Sequence, residues 1–316
     1  HLNMLKAAEM AYNEGVCFPV LLGNEEKINS IAREYNIDLS GIEIINLRHD
    51  REEARRIAYA EKLAKKLGRE GMTYDEAYEK MYERNYFGMM MVETGEADAL
   101  ITGVYTKYAD TIQAAKDVIG IRPGSKHIAA MHIMNTKKGT FFMADTLFNR
   151  HPSTETLIDI AKLTYRTVKF FAHEPVMAML SYSNFGSDKQ GSPASVHEVV
   201  ETLHREVPEM IVDGEMQVNF ALNKELRDRK YPFTRLAGKD VNTLIFPNLS
   251  SANSAYKLLL EMGISEAVGP IQMGLNKPVH ILDVESSVRD IVNMTAIAVL
   301  DAIVEEKITT ENLERI

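Results

Sequence analysis

The chain has 316 residues, 45% of them apolar, with a formal net charge of -9 and a pI near 5.6. That is enough material for a sizeable core in one large or two medium domains, and the acidic balance argues against a nucleic-acid surface, which needs a basic excess. A single cysteine excludes an intrachain disulfide and a cysteine-cluster zinc site, and no apolar run approaches the ~18 residues that span a bilayer.

Residues 2–48 alternate between helix and strand: a helical pattern through Leu5, Ala8 and Ala11, a strand from Cys17 to Leu22, a charged helix from Glu25 to Glu34, and a strand from Ile42 to Leu47. Such alternation marks a parallel-type α/β sheet. Cys17, between Val16 and Phe18, reads as a small buried residue. The stretch up to Glu93 reads as helical, with Ala54, Ile57, Ala58, Leu63, Ala64 and Leu67 on one stripe. Thr73 and Glu76 have capping-box spacing, and Met89 to Met91 read as gap-filling core. Asp98 to Gly103 is a short strand ending in a Thr-Gly turn before a helix, a natural anion seat. Ile128–Met134 and Thr140–Ala144 form a hairpin. The irregular stretch from Asp145 to Pro152 is the expected domain crossover.

Ser153 with Thr156 opens an amphipathic helix, and a strand from Val176 leads into Ser183-Asn184-Phe185-Gly186-Ser187. Hydroxyls after a strand suit phosphate or amide contacts, or else serve as turn and cap residues. After Asp213-Gly214-Glu215, the apolar run Thr243–Pro247 reads as a central strand. The richest stretch is Gly269 to Met294: a glycine-punctuated loop, a strand from Val279 to Leu282, a polar turn and a long helix. It gathers Lys277, Asp283, Glu285, Ser286, Ser287 and Asp290 at a strand end beside a helix N-terminus. Ser287 and Asp290 also have capping-box spacing. There is no G-x-G-x-x-G, Walker loop or H-E-x-x-H, and the nine histidines show no metal spacing, so no metal is expected.

Gly274 to Val279 (GLNKPV) and Val288 to Asn293 (VRDIVN) resemble the C-terminal signature of the phosphate acetyltransferases. Met179-Leu180-Ser181-Tyr182-Ser183, Gly103 with Ala109-Asp110-Thr111, Asp213-Gly214-Glu215, and Pro247 with Asn253, Tyr256 and Lys257 fit the same family. The resemblance departs where the family has a reacting Ser-Arg pair: those positions hold Asp283 and Val284, with Asp290 retained, and the family's basic position falls on Gln113. Losing an arginine removes a bidentate phosphate ligand. Acids placed in its stead would cost on the order of 4 kcal/mol against an anion at an effective ε of ~20.

The variant His280-Ile281-Leu282 with Val288-Arg289 is closer to the phosphotransacetylase-like C-terminal domain of NADP-dependent malic enzymes. That resemblance implies two three-layer α/β/α domains with an interdomain cleft, isocitrate/isopropylmalate dehydrogenase-like, with residues 1–147 and 281–316 in the first and 148–280 in the second. It implies a catalytically silent regulatory and oligomerisation domain, at least dimeric and cytoplasmic, cut from a longer chain and binding acetyl-CoA as effector. Gly103, Thr106, Ser181, Ser183, Asn184, Asn276, Lys277 and Asp290 would line the cofactor site. NADP and a divalent metal would belong to a malic enzyme catalytic domain in the same parent chain, and neither nucleic acid nor membrane would be a partner. The alternatives are an active phosphate acetyltransferase, moving acetyl between CoA and phosphate, and a purely structural dimerisation domain.

Overall fold

The structure, a computed structural model, describes residues 1–104 and 107–314, the last eight by backbone alone. The chain divides into two compact units, residues 1–122 with 275–316 and residues 123–274.

The first unit runs α1 (Leu2–Asn13), β1 (Val20–Leu22), α2 (Glu25–Glu34), β2 (Glu43–Ile45), α3 (Glu53–Leu67), α4 (Tyr74–Lys80), α5 (Arg84–Thr94), β3 (Leu100–Thr102) and α6 (Tyr108–Val118). The strands are shorter than their apolar patterns predict and pair in two separate parallel ladders, β1 with β2 and β3 with a strand from the far end of the chain. Asn24 caps α2 by accepting from the Lys27 amide, and Thr73 and Glu76 close the capping box of α4. The helical stretch before Glu93 breaks into three helices. The break after α3 falls at Gly71, at φ 96°, a conformation glycine adopts without steric cost. Helix α5 is buried on every side from Asn85 to Val92, including Met89 to Met91, as befits a central helix. Cys17 is half-buried rather than core, because the strand starts three residues later.

The second unit runs β4 (Ala129–Thr136), β5 (Gly139–Ala144), α7 (Thr154–Phe170), β6 (Val176–Leu180), α8 (Gly191–Glu206), β7 (Ile211–Met216), α9 (Val218–Leu222), α10 (Lys224–Lys230), β8 (Thr243–Ile245), α11 (Leu249–Glu261) and β9 (Ser265–Met273). Its six strands form one sheet in the order β7-β6-β8-β5-β4-β9. The hairpin β4–β5 closes at Thr136 opposite Gly139. Alternate residues of β5, β6 and β8 (Met143, Ala178, Leu180 and Leu244) join one apolar cluster with Ala221, Ala252 and Tyr256. The intervening residues, Phe142, Met177, Met179 and Ile245, are buried on the opposite face. Both faces are therefore covered, as a mostly parallel sheet requires.

Residues 275–316 return to the first unit as β10 (Val279–Ile281), which pairs with β3, and α12 (Val288–Glu314), which packs on α1. Residues 123–147, expected with the first unit, lie in the second because β4 pairs with β9 and β5 with β8. The second boundary falls at Gly274 rather than 280, since β10 finds its partner in β3.

Candidate active site

In the first unit Gly103, Asp283 and Asp290 follow the carboxyl ends of β3 and β10, whereas Asn276 and Lys277, expected beside them, precede β10 and lie at its amino end. Gly103 leaves β3 at φ 111°, and a Cβ built there would lie 2.4 Å from the Leu282 carbonyl oxygen and 2.7 Å from its nitrogen. The two loops are thus pressed together backbone to backbone, with the Leu282 amide donating to the Thr102 carbonyl at 2.7 Å. Beneath them, the Thr102 hydroxyl donates to Asn85 Oδ1 (2.7 Å), and Asn85 Nδ2 donates to Thr111 Oγ1 (3.1 Å). Asn85 and Thr111 are both buried, so this chain of bonds fixes the start of α6 against β3 and α5. No periodicity in the sequence marks Asn85, which lies on a different helix.

After β10, Leu282 is buried, while Asp283 and Glu285 are exposed and Val284 is 58% exposed. Asp283 Oδ1 accepts from the Glu285 amide at 3.4 Å, so the first acid is folded into its own turn. The charge argument made from sequence used an effective ε of ~20, the value for groups near a protein surface; acids this exposed lie between that value and water's. In water the same repulsion is about fourfold weaker than at ε 20, and salt screens it further. Asp290 Oδ2 accepts from the Ser287 amide (2.9 Å) and hydroxyl (2.7 Å), and Ser287 Oγ accepts from the Asp290 amide (3.2 Å). This is the capping box, and it opens α12. Under the turn, burial pushes the His280 imidazole down to about 4, so it is neutral at pH 7.

Lys277 is not a cation held out to a ligand. Its Nζ donates to the carbonyls of Val92 (3.1 Å) and Glu93 (3.3 Å) at the last turn of α5, where a positive charge also complements the helix dipole. Lys277→Ala is expected to lower stability by about 1 kcal/mol and to leave CoA affinity unchanged, read by thermal melting alongside calorimetry. A large loss of CoA affinity with an unaltered melt would restore it as a ligand. Asn276 is exposed on the same loop, its amide donating to the Gly120 carbonyl at 3.0 Å. Thr106 lies outside the described residues.

In the second unit the loop after β6 is built around Glu215, which is wholly buried. Glu215 Oε1 accepts from Ser183 Oγ (3.0 Å) and from the Gly186 amide (2.6 Å), and the Phe185 amide donates to the Glu215 carbonyl (2.9 Å). The close approach that this needs is allowed by Gly214, where a Cβ would sit 2.5 Å from the Met179 carbonyl. Ser183 is buried and its hydroxyl is fully engaged, which corrects the expectation that it touches a ligand. Ser181 Oγ accepts from the Ser183 amide at 3.2 Å, and Asn184 Oδ1 from the Gln217 amide at 2.9 Å, both on half-buried residues. Of the loop's serines it is Ser187 that is exposed, a residue the sequence placed in the hydroxyl cluster but did not single out as a ligand contact. The S-x-x-G-S spacing contained it, but which serine faces outward depends on Glu215, some thirty residues on.

Residues 2–299 match the family model described as phosphate acetyl/butaryl transferase. The chain belongs to that family. A phosphate acetyltransferase of Acetivibrio thermocellus is 34% identical over 309 residues, spanning 95% of this chain and 91% of that protein. The NADP-dependent malic enzyme of Salmonella typhimurium is also 34% identical, over 305 residues and 95% of this chain, but the chain spans only 40% of its length. Among solved structures, a phosphotransacetylase from Streptococcus pyogenes superposes with a TM-score of 0.87 at 31% identity, covering 96% of this chain and 91% of that one. One from Staphylococcus aureus gives 0.84 at 30% identity, covering 95% and 91%.

These shares overturn the regulatory-domain reading. The malic enzymes are matched over 40% of their length, whereas several transferases and both transferase structures are matched over 91% of theirs, which favours a transferase over a malic enzyme domain. That reading gave a short stretch, residues 280–285 with Val288 and Arg289, more weight than the rest of the chain, and the exposure of Asp283 and Glu285 weakens its electrostatic ground. The mixed α/β fold matches the phosphotransacetylase structures. Among the described residues no helix is long and apolar enough to cross a membrane, and no group of three or more His, Cys, Asp or Glu could hold a metal ion.

Proposed function

We propose that the chain is an acyltransferase that moves an acyl group, acetyl in the simplest case, between CoA and inorganic phosphate. The observation that carries this reading is the match over 91% of the length of proteins named phosphate acetyltransferase. In the direction of thioester formation, the CoA sulfur attacks the acyl carbon of the acyl phosphate. A C–S bond forms, the C–O bond to phosphate breaks, and the thiol proton passes to a base. The developing oxyanion needs fixed donors.

Within the second unit we assign acyl-CoA contacts to Ser181, Asn184 and Ser187, and give Ser183 the task of holding Ser187. Within the first, we keep Gly103 and the start of α12 at Asp290 as the positions nearest a phosphate, since a helix start offers free N–H groups, and Asn276 as a contact on the loop before β10. The dehydrogenase-like architecture expected from sequence and at least a dimeric assembly are part of the same proposal. CoA and acetyl phosphate mixed with the purified protein should form thioester, followed by its ultraviolet absorbance, at ~1 s⁻¹ or faster. Absence of thioester at high enzyme concentration sinks the proposal.

A further inference from the structure

The hydroxyl pair Ser183–Ser187 has a fixed direction. A serine hydroxyl carries one proton to donate and two lone pairs to accept with. Ser183 Oγ lies 3.0 Å from Glu215 Oε1, a carboxylate oxygen that can only accept, so the Ser183 proton is committed there. Its lone pairs must then receive the Asp188 amide at 3.0 Å and the Ser187 hydroxyl at 2.8 Å. The reverse orientation, with Ser183 donating to Ser187, would set two lone-pair-bearing oxygens against each other at 3.0 Å inside the protein. The Ser187 proton therefore points inward. One Ser187 lone pair takes the Asn184 amide at 3.1 Å, which leaves one lone pair facing outward.

The buried acid holds this arrangement from both ends. Glu215 is 0% exposed, and besides Ser183 and the Gly186 amide its side chain faces His197, with Nδ1 3.6 Å from Oε2. Oε2 itself has no hydrogen-bond partner. A carboxylate buried without a cation in firm contact carries a desolvation cost, and it offsets part of that cost by drawing in hydroxyl and amide protons.

We infer that Glu215 polarises the serine loop so that Ser187 is an obligate acceptor, and that Ser187 receives a hydrogen-bond donor of acyl-CoA other than its thiol, an amide N–H of the pantetheine arm in the simplest case, rather than a phosphate oxygen. Phosphate oxygens at neutral pH offer mainly lone pairs, which an outward lone pair repels; an amide N–H is the complementary group. Ser187 is thus a specificity-determining contact for the thioester substrate, and Glu215 is a positioning residue that acts through Ser183. The inference rests on the reading that the chain binds acyl-CoA, and its test is read by binding so that it stands apart from turnover.

The probes are CoA, S-methyl-CoA and inorganic phosphate, titrated calorimetrically against the wild-type protein, Ser187→Ala, Glu215→Ala and Glu215→Gln. Ser187→Ala should weaken CoA and S-methyl-CoA alike by about tenfold, the value of one hydrogen bond, with phosphate affinity changed less than about twofold. Glu215→Ala, which removes the acceptor for Ser183 and Gly186, should weaken CoA about as much as Ser187→Ala, and Glu215→Gln, whose amide oxygen can replace Oε1, should restore it; a folded Glu215→Ala protein with full CoA affinity overturns the positioning role. A loss of phosphate affinity in Ser187→Ala overturns the inference, as does unchanged CoA affinity. A loss confined to CoA would make the thiol the donor and overturns it too, and so does a wild-type protein that binds no CoA. Binding with this pattern but without thioester formation would leave the inference standing and sink the proposed reaction alone.

Discussion

Arg227→Ala is expected to destabilise the second unit by about 4 kcal/mol, close to the largest effect a single side chain exerts. The guanidinium is wholly buried. It donates from Nη1 to the Ala221 carbonyl (3.0 Å) and from Nη2 to the carbonyls of Leu236 (2.9 Å) and Lys239 (2.5 Å), with Asp228 3.4 Å from Nε. It therefore ties α9, the start of α10 and the loop before β8 into one body. Removing it leaves three carbonyls without their donor and a cavity where the side chain lay. Arg227→Lys keeps a charge but offers one point where the fork offers several, and should cost about half as much. Urea titration followed by circular dichroism measures both. A loss below ~1 kcal/mol for alanine would show that the carbonyls find water instead.

Gly103→Ala should be nearly as costly in the first unit, about 3 kcal/mol, from two causes acting together. Its φ of 111° is unfavourable for any residue with a Cβ, and that Cβ would meet the Leu282 backbone, which cannot rotate aside. With a few degrees of melting temperature per kcal/mol for a unit of this size, the shift should be about 10 °C. Gly120→Ala separates the causes: its φ of 81° carries the backbone penalty, but nothing lies within 4 Å. It should cost only about 1 kcal/mol. Equal losses in the two variants would mean that the approach of the β3 and β10 loops contributes nothing.

The local devices were legible in the sequence: the capping box at Thr73 and Glu76, the Ser153 cap, the β4–β5 hairpin and the start of α12 at Ser287. Each depends on residues within a few positions of one another. What escaped depends on partners far along the chain. The hairpin went to the wrong unit because β8 and β9, which claim it, lie about a hundred residues later. Lys277 looked like a loop cation because its carbonyls belong to residues 92 and 93. Ser183 looked available because the acid that consumes its proton comes 32 residues afterwards. Asp283 and Glu285 looked prohibitive because their exposure to water, which screens their repulsion of an anion, is invisible in a string of letters.

The first unit is assembled from both ends of the chain, with β10 beside β3 and α12 against α1. During synthesis, the second unit has all six of its strands once residue 274 has emerged, while the first still lacks a strand and its longest helix. The middle of the polypeptide should therefore acquire its protease resistance on the ribosome first. The earlier-made segment 1–122 must wait, with β3 an unpaired edge and α1 uncovered, for its closing pieces. A nascent chain stalled shortly after residue 274 would then be the species most prone to pair with a neighbour.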